Sequence, residues 1–408
     1  NLEAQSYAAS LYVASGKPDR AAPHLNIVMA SQDSASAFIQ LLQPVARRNN
    51  LEIEGFQYLA EAYPKNLDAQ VLYAQVLFSH QQNDLANSIL DEVLKSENYR
   101  PSAVALKVQM LEQSKSFDEA INLLQEAISA HPDHVGMRIG LLKMLLEAER
   151  TQEMYDEYPK LQILLASDPA NLAQTGFLSL QAKHYRQSER FLLQSIQYGM
   201  PVEHLAYYLG HISDAQGDPL SAVRWYKMVG GSNSNQKFFA QIRAAILMSE
   251  IEGYEAALSY LESVEPNNAR EQKQLALLRG ELLQDQNRWQ DAFDVYSSAL
   301  DQFNNDVQLL YARSLTADKL RRLDLAEQDL SKILVQDPSN VLALNALGYS
   351  LSNHSNRYEE ALTYIERALH LAPEDAAILD SMGWVKFRLG DYDEALSYLS
   401  EALDITWD

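Results

Sequence analysis

Residues 379–403 read LDSMGWVKFRLGDYDEALSYLSEAL and residues 344–369 read LNALGYSLSNHSNRYEEALTYIERAL. In the first, Gly383 precedes Ala395 by twelve residues; in the second, Gly348 precedes Ala361 by thirteen, with one extra residue in the turn. The theme recurs upstream in GELLQDQNRWQDAFDVYSSAL (280–300), LGHISDAQGDPLSAVRWYKMV (209–229) and LEQSKSFDEAINLLQEAI (111–128). Aligning the residue that opens each second helix gives a ladder: Ala21, Gly55, Ala86, Ala120, Met154, Ser188, Ala222, Ala257, Ala292, Ala326, Ala361 and Ala395. Its steps are 31–35 residues, so twelve rungs span all 408 residues.

The position twelve before the rung is usually small as well: Ala9, Ala74, Gly176, Gly210, Ala245, Gly280, Ser314 and Gly383. Two small residues so placed let the paired helices of one unit approach closely, which is the signature of the tetratricopeptide repeat. In the last unit the pattern predicts a first helix over 376–389 and a second over 392–403. Gly390 caps the first and Asp391 opens the second. Leu379, Met382, Leu396, Leu399 and Leu403 form the stripe for neighbours to bury. Prolines in Asp337-Pro338, Ala372-Pro373, His131-Pro132 and Glu265-Pro266 separate the units.

The expected fold is therefore an all-α tetratricopeptide-repeat solenoid, a right-handed superhelix of about twelve helix-turn-helix units with one continuous core. Residues 1–66 hold degenerate N-terminal repeats, 67–200 repeats three to six, and 201–408 the well-formed repeats. Gln43, Leu142 and Met154 break the small-residue rule, and the register of the first, second and fifth units is the loosest. The final helix would turn Tyr398, Ala402 and Ile405 outward, as an unfinished stack does. End-to-end self-association follows as a possible partner mode, and a chain cut short at this end is the expectation.

Composition agrees. Glycine and proline number 15 and 13, about 7% of the chain against a usual share of roughly 12%. A formal charge of −22 repels phosphate backbones, so nucleic acid and anionic lipid are poor partners. The absence of cysteine removes disulfides, thiol nucleophiles and thiolate metal ligands. His131 and His134 have ligand-like spacing but fall in an inter-repeat turn. Gly230-Gly231-Ser232-Asn233 lacks the lysine and flanking strand of a phosphate loop. Paired acids such as Glu359-Glu360 and Asp393-Glu394 suit the first turns of helices. We expect no catalytic residue, cofactor or metal, and no enzyme activity. Trp225 and Trp289 belong inside; Trp384, beside Gly383, points toward the inner wall, and Trp407 is a further candidate anchor.

In such a stack the second, fifth, ninth and twelfth residues of each first helix face the groove. The candidate protein-binding residues are His204, Tyr207, His211 and Asp214; Gln308, Tyr311 and Asp318; Asn345, Tyr349 and Ser352; and Asp380, Trp384 and Phe387. Aromatic rings among amides and acids suit extended polypeptide rather than a small molecule.

LLYARSLTADKLRRLDLAEQDL (309–330), ALNALGYSLSNHSNRYEEAL (343–362) and AILDSMGWVKFRLGDYDEAL (377–396) resemble one family, with an echo in YYLGHISDAQGDPLSAVRWY (207–226). It is the proteobacterial outer-membrane lipoproteins built from tetratricopeptide repeats, which in pseudomonads are adaptors for a periplasmic C-terminal processing protease. The Asp380-Ser381-Met382 run and the insertion after Leu351 carry the likeness; the asparagine-rich turn from Asn353 to Asn356 departs from it. The resemblance implies a non-enzymatic periplasmic scaffold that tethers the protease and presents protein substrates, held to the outer membrane through an N-terminal lipid anchor upstream of this chain. An assembly factor for a secretion or polysaccharide-export complex is the alternative.

Overall fold

The computed structural model describes residues 2–28, 47, 52–96, 100–230 and 234–407. Among these, every regular element is helical, and the chain divides into two compact units, 1–200 and 201–408. The first holds α1 (Leu2–Ala14), α2 (Pro18–Val28), α3 (Glu52–Ala62), α4 (Leu67–Ser79), α5 (Asn83–Ser96), α6 (Pro101–Gln113), α7 (Phe117–Ala130), α8 (Val135–Glu147), a 3-10 segment (Thr151–Asp156), α9 (Tyr158–Leu164), α10 (Pro169–Gln181) and α11 (Tyr185–Gln197). The second holds α12 (Val202–Ala215), α13 (Pro219–Lys227), α14 (Ser234–Ile251), α15 (Tyr254–Glu262), α16 (Ala269–Asp285), α17 (Trp289–Gln302), α18 (Val307–Lys319), α19 (Leu323–Gln336), α20 (Val341–His354), α21 (Tyr358–Leu371), α22 (Ala376–Leu389) and α23 (Tyr392–Trp407). The expected all-α repeat fold is what the chain adopts.

Every rung of the ladder is the fourth residue of a second helix, and every one is buried. The small residue on the first helix receives the side chain four beyond the rung. A Cβ on Gly176 would stand 2.7 Å from Leu192, one on Gly210 2.6 Å from Tyr226, and one on Gly383 2.6 Å from Leu399. On Gly280 it would collide with the ring of Tyr296, which is itself almost fully buried. Each such side chain contributes roughly 1.5–3 kcal/mol of burial, which the cleft makes available to the hairpins that have a small residue there.

Helix starts and stops are equally regular. Asn66, Asp168, Asn268, Asp306, Asn340 and Asp375 each cap a first helix by accepting a backbone N–H two or three residues on. Five residues before the rung the chain turns through the left-handed region, at Gly217 and Gly390, but also at Gln81, Lys115, Glu149, Lys183, Asn287 and Arg321. The next N–H then reaches back to close the turn, as in Ser116 to Leu111 O at 2.8 Å and Asp391 to Lys386 O at 3.0 Å. This is the Schellman closure, which satisfies carbonyls a helix end would leave open.

Several expectations need correcting. Among the described residues, the core divides into clusters instead of forming one continuous body. Residues 201–408 share one large cluster running from Ala206 to Val385, beside a small one around Phe293. Among the described residues, two clusters lie within 1–200, and Leu94 touches both. In the fifth unit Leu142 and Met154 are both fully buried where small residues stand elsewhere. There the second helix is broken into a 3-10 turn and α9, whose first turn contains Pro159. Gln43 lies outside the described residues. On α23, Ala402 is buried and Tyr398 packs against the core, whereas Leu396 and Leu403, read as core, are 68% and 57% exposed. The face turned outward is thus Tyr392, Leu396 and Leu403 rather than Tyr398 and Ala402; Ile405 is exposed as expected.

Candidate protein-binding face

First helices carry the candidate residues, and the small cleft residue fixes their register. Relative to it, the position one beyond is His211, Leu315, Tyr349 and Trp384 in the seventh, tenth, eleventh and twelfth units. The position three before is Tyr207, Tyr311, Asn345 and Asp380, and the position six before supplies His204 and Gln308. The cleft residue faces the partner helix, so the position one beyond is rotated about 100° away from it. His204, His211, Gln308 and Asp380 are exposed; Tyr349 is 39% and Phe387 48% exposed, and Tyr207 and Tyr311 are half-buried. Burial raises the Tyr311 phenol above its ordinary value, so it stays protonated.

Three candidates are spent on neighbouring units or on the core. The Asp214 carboxylate accepts from Arg243 Nε and Nη2 at 2.7 and 2.9 Å, a two-pronged pair between successive first helices. That pairing holds its carboxyl below the usual range. Asp318 accepts from Ser350 Oγ at 2.5 Å and lies 3.1 Å from His354 Nε2. The His354 ring in turn has Arg321 3.1 Å from Nδ1. Both acids rivet one first helix to the next. Ser352 is fully buried, its hydroxyl donating to Tyr349 O at 2.9 Å, so it does not belong to the face.

Trp384 is half-buried and stacks on Phe387, with ring centres 5.6 Å apart. Phe387 also touches Tyr392 of the second helix. Arg388 lies over Tyr358 and Trp384 and donates to the Tyr358 hydroxyl. The Trp384 indole N–H and the Asn345 side-chain oxygen are both buried without a partner among the described residues. Leu315, 41% exposed in the same column, was passed over in the sequence because it is a leucine; its ninth place in α18 was the available signal.

The remaining candidates fall to structural roles. His134 caps α8, its Nδ1 accepting from Met137 N at 3.2 Å. Trp225 packs half-buried against the core, and Trp289 is half-buried beneath Lys319. Gly230 is described; Gly231, Ser232 and Asn233 lie outside the described residues, as does the side chain of Trp407. Among the described residues no group of three His, Asp or Glu could hold a metal, and no helix is long and apolar enough to cross a membrane.

The TPR repeat-containing protein PA4667 of Pseudomonas aeruginosa is 29% identical over 410 residues, 99% of this chain and 68% of its own length. Among solved structures, MamA 41-end from Desulfovibrio magneticus RS-1 is 18% identical, over 43% of this chain and 97% of that one, with a TM-score of 0.36. The structure of Naa15/Naa10 bound to HypK-THB is 14% identical, over 86% of this chain and 60% of that one, with a TM-score of 0.42. The tetratricopeptide repeat family model matches residues 339–406, and the rung, cleft and left-handed turn found there recur in the helix pairs before it: the chain is built from tetratricopeptide-type repeats.

Proposed function

We propose that this chain is a non-enzymatic protein-binding scaffold, and more specifically a periplasmic adaptor that holds a C-terminal processing protease and presents protein substrates to it. The carrying observation is the column of exposed side chains at one register of the first helices, His211, Leu315 and Tyr349 in the seventh, tenth and eleventh units, with His204, Gln308, Asp380 and Phe387 alongside. Tetratricopeptide repeats serve as protein-interaction scaffolds, and a row of rings and amides on rigid helices suits a polypeptide ligand. The adaptor role and the tether to the outer membrane through an upstream lipid anchor rest on the family resemblance of residues 309–330, 343–362 and 377–396. A bait experiment tests it: the chain immobilised, periplasmic extract passed over it, and bound proteins identified. Recovery of a processing protease, reduced by Tyr349→Ala, supports the adaptor. Recovery of secretion or export components in its place supports the assembly alternative, and a catch of neither overturns both.

A further inference from the structure

In six units the residue just before the cleft residue is apolar and buried, as Leu209, Ala244, Leu347 and Met382 are. Three units place a cation there: Lys107, Arg279 and Arg313. Two of the three are neutralised within the fold. Lys107 Nζ donates to Asp91 Oδ1 at 2.8 Å and to Asn87 Oδ1 at 2.9 Å. Arg313 holds the fully buried Asp329 through Nε and Nη2, at 2.7 and 2.8 Å.

Arg279 makes no hydrogen bond or ion pair among the described residues. Val295 stands where Asp329 stands in the next unit. Glu262, in the place of Asp91, ends α15 after nine residues, against fourteen in α17, and does not reach it. The half-buried guanidinium instead lines a cavity of about 430 Å³, with Leu275, Ala276, Val295, Ala299 and Phe303 as apolar walls; the exposed Asp294 also lines it, its carboxylate accepting from Gln290 Nε2 at 2.8 Å and making no ion pair with Arg279. That volume falls in the range of ligand sites.

We propose that this cavity is a second binding site, for a polypeptide segment that inserts an aspartate or glutamate side chain flanked by an apolar residue. The sibling repeats supply the reason: at Lys107 and Arg313 the cation at this register is met by an aspartate side chain from a helix, and at Arg279 no carboxylate among the described residues makes that pair, Asp294 at the cavity wall included. Its guanidinium offers the two-pronged geometry a carboxylate takes up, and the aliphatic and phenyl walls take the apolar neighbour. The site stands apart from the exposed column, since Arg279 lies two residues before column position Glu281, about 200° round α16.

The test uses the intact chain and fluorescein-labelled nonapeptides, N-acetylated and C-amidated, with leucine-aspartate at the centre and mixed residues outside it. The wild-type chain is expected to retain this pool, and to bind it at least about tenfold more tightly than the same pool with asparagine for aspartate. Arg279→Leu is expected to lose that preference while melting no lower than wild type, because leucine occupies this register at Leu209 and Leu347. Arg279→Lys should keep part of it, and Tyr349→Ala all of it, which separates this site from the column. Equal binding by Arg279→Leu, a preference for peptides with a free terminal carboxylate and no aspartate, or no retention at about millimolar peptide would each overturn the proposal.

Discussion

At the scale of single residues, the fold rests on clefts one methyl group deep. Gly280 is the sharpest case, because the Tyr296 ring occupies the space a Cβ would need. Gly280→Ala gains about 1 kcal/mol of helix propensity yet is expected to lose about 1–2 kcal/mol net in urea denaturation through overpacking. Tyr296→Leu in the same background should recover most of that loss, since the two sites share one volume. A second residue-scale prediction concerns His184, whose Nδ1 lies 2.8 Å from the Tyr158 hydroxyl, with the Tyr155 ring against it. Burial lowers its pKa from the ordinary 6.5. Between the lowered value and 6.5 the unfolded chain binds more protons, so stability contributed above that window is lost as pH falls through it. Urea midpoints compared at about pH 7.5 and about pH 5 should fall less for His184→Gln than for wild type. The rung alanines and cleft glycines were legible in the sequence because steric demand leaves few residue types. The fates of Asp214 and Asp318 were not, because their partners Arg243 and Ser350 sit on other helices, a geometry that spacing on one helix does not encode.

At the scale of elements, the turns between paired helices show what glycine counting misses. Gly217 and Gly390 announce their left-handed turns, but Lys115 and Lys183 adopt the same conformation with an ordinary side chain. Each carries roughly 1–2 kcal/mol of steric cost there, which the closing hydrogen bond and the packed hairpin outweigh. Lys115→Gly and Lys183→Gly are therefore expected to raise stability by about 0.5–1 kcal/mol each, while Gly217→Ala should lower it by about 1 kcal/mol. Thermal melts monitored at the helical circular dichroism band decide both signs. The broken second helix of the fifth unit has a readable cause too, in Leu142, Met154 and Pro159. The extra residue of the eleventh unit lengthens α20 to His354, which is how that histidine comes to meet Asp318.

At the scale of the whole molecule, the two compact units, 1–200 and 201–408, make a direct prediction. Repeat proteins hold themselves together through neighbour contacts alone, so polypeptides 1–200 and 201–408 made separately should each fold. Their summed helical signal should match that of the intact chain, and a half that stays unfolded would contradict it. In binding, Tyr349→Ala should weaken partner capture with the melting temperature unchanged. Trp384→Ala should cost stability as well, because the indole is half-buried on Phe387 and under Arg388. A ladder of period 34 makes fold class plain in the sequence; division of the core into clusters depends on packing between hairpins and is not written in the period.

The uniform placement of the rung has one more consequence. Because the hairpins with a small rung and a small cleft residue use the same lock at the same place, each of them is an interchangeable link. Removing or duplicating one shortens or extends the chain by a fixed increment and leaves the fastening of the others intact. Length here is a digital quantity, adjustable in whole links without redesign of the parts that remain.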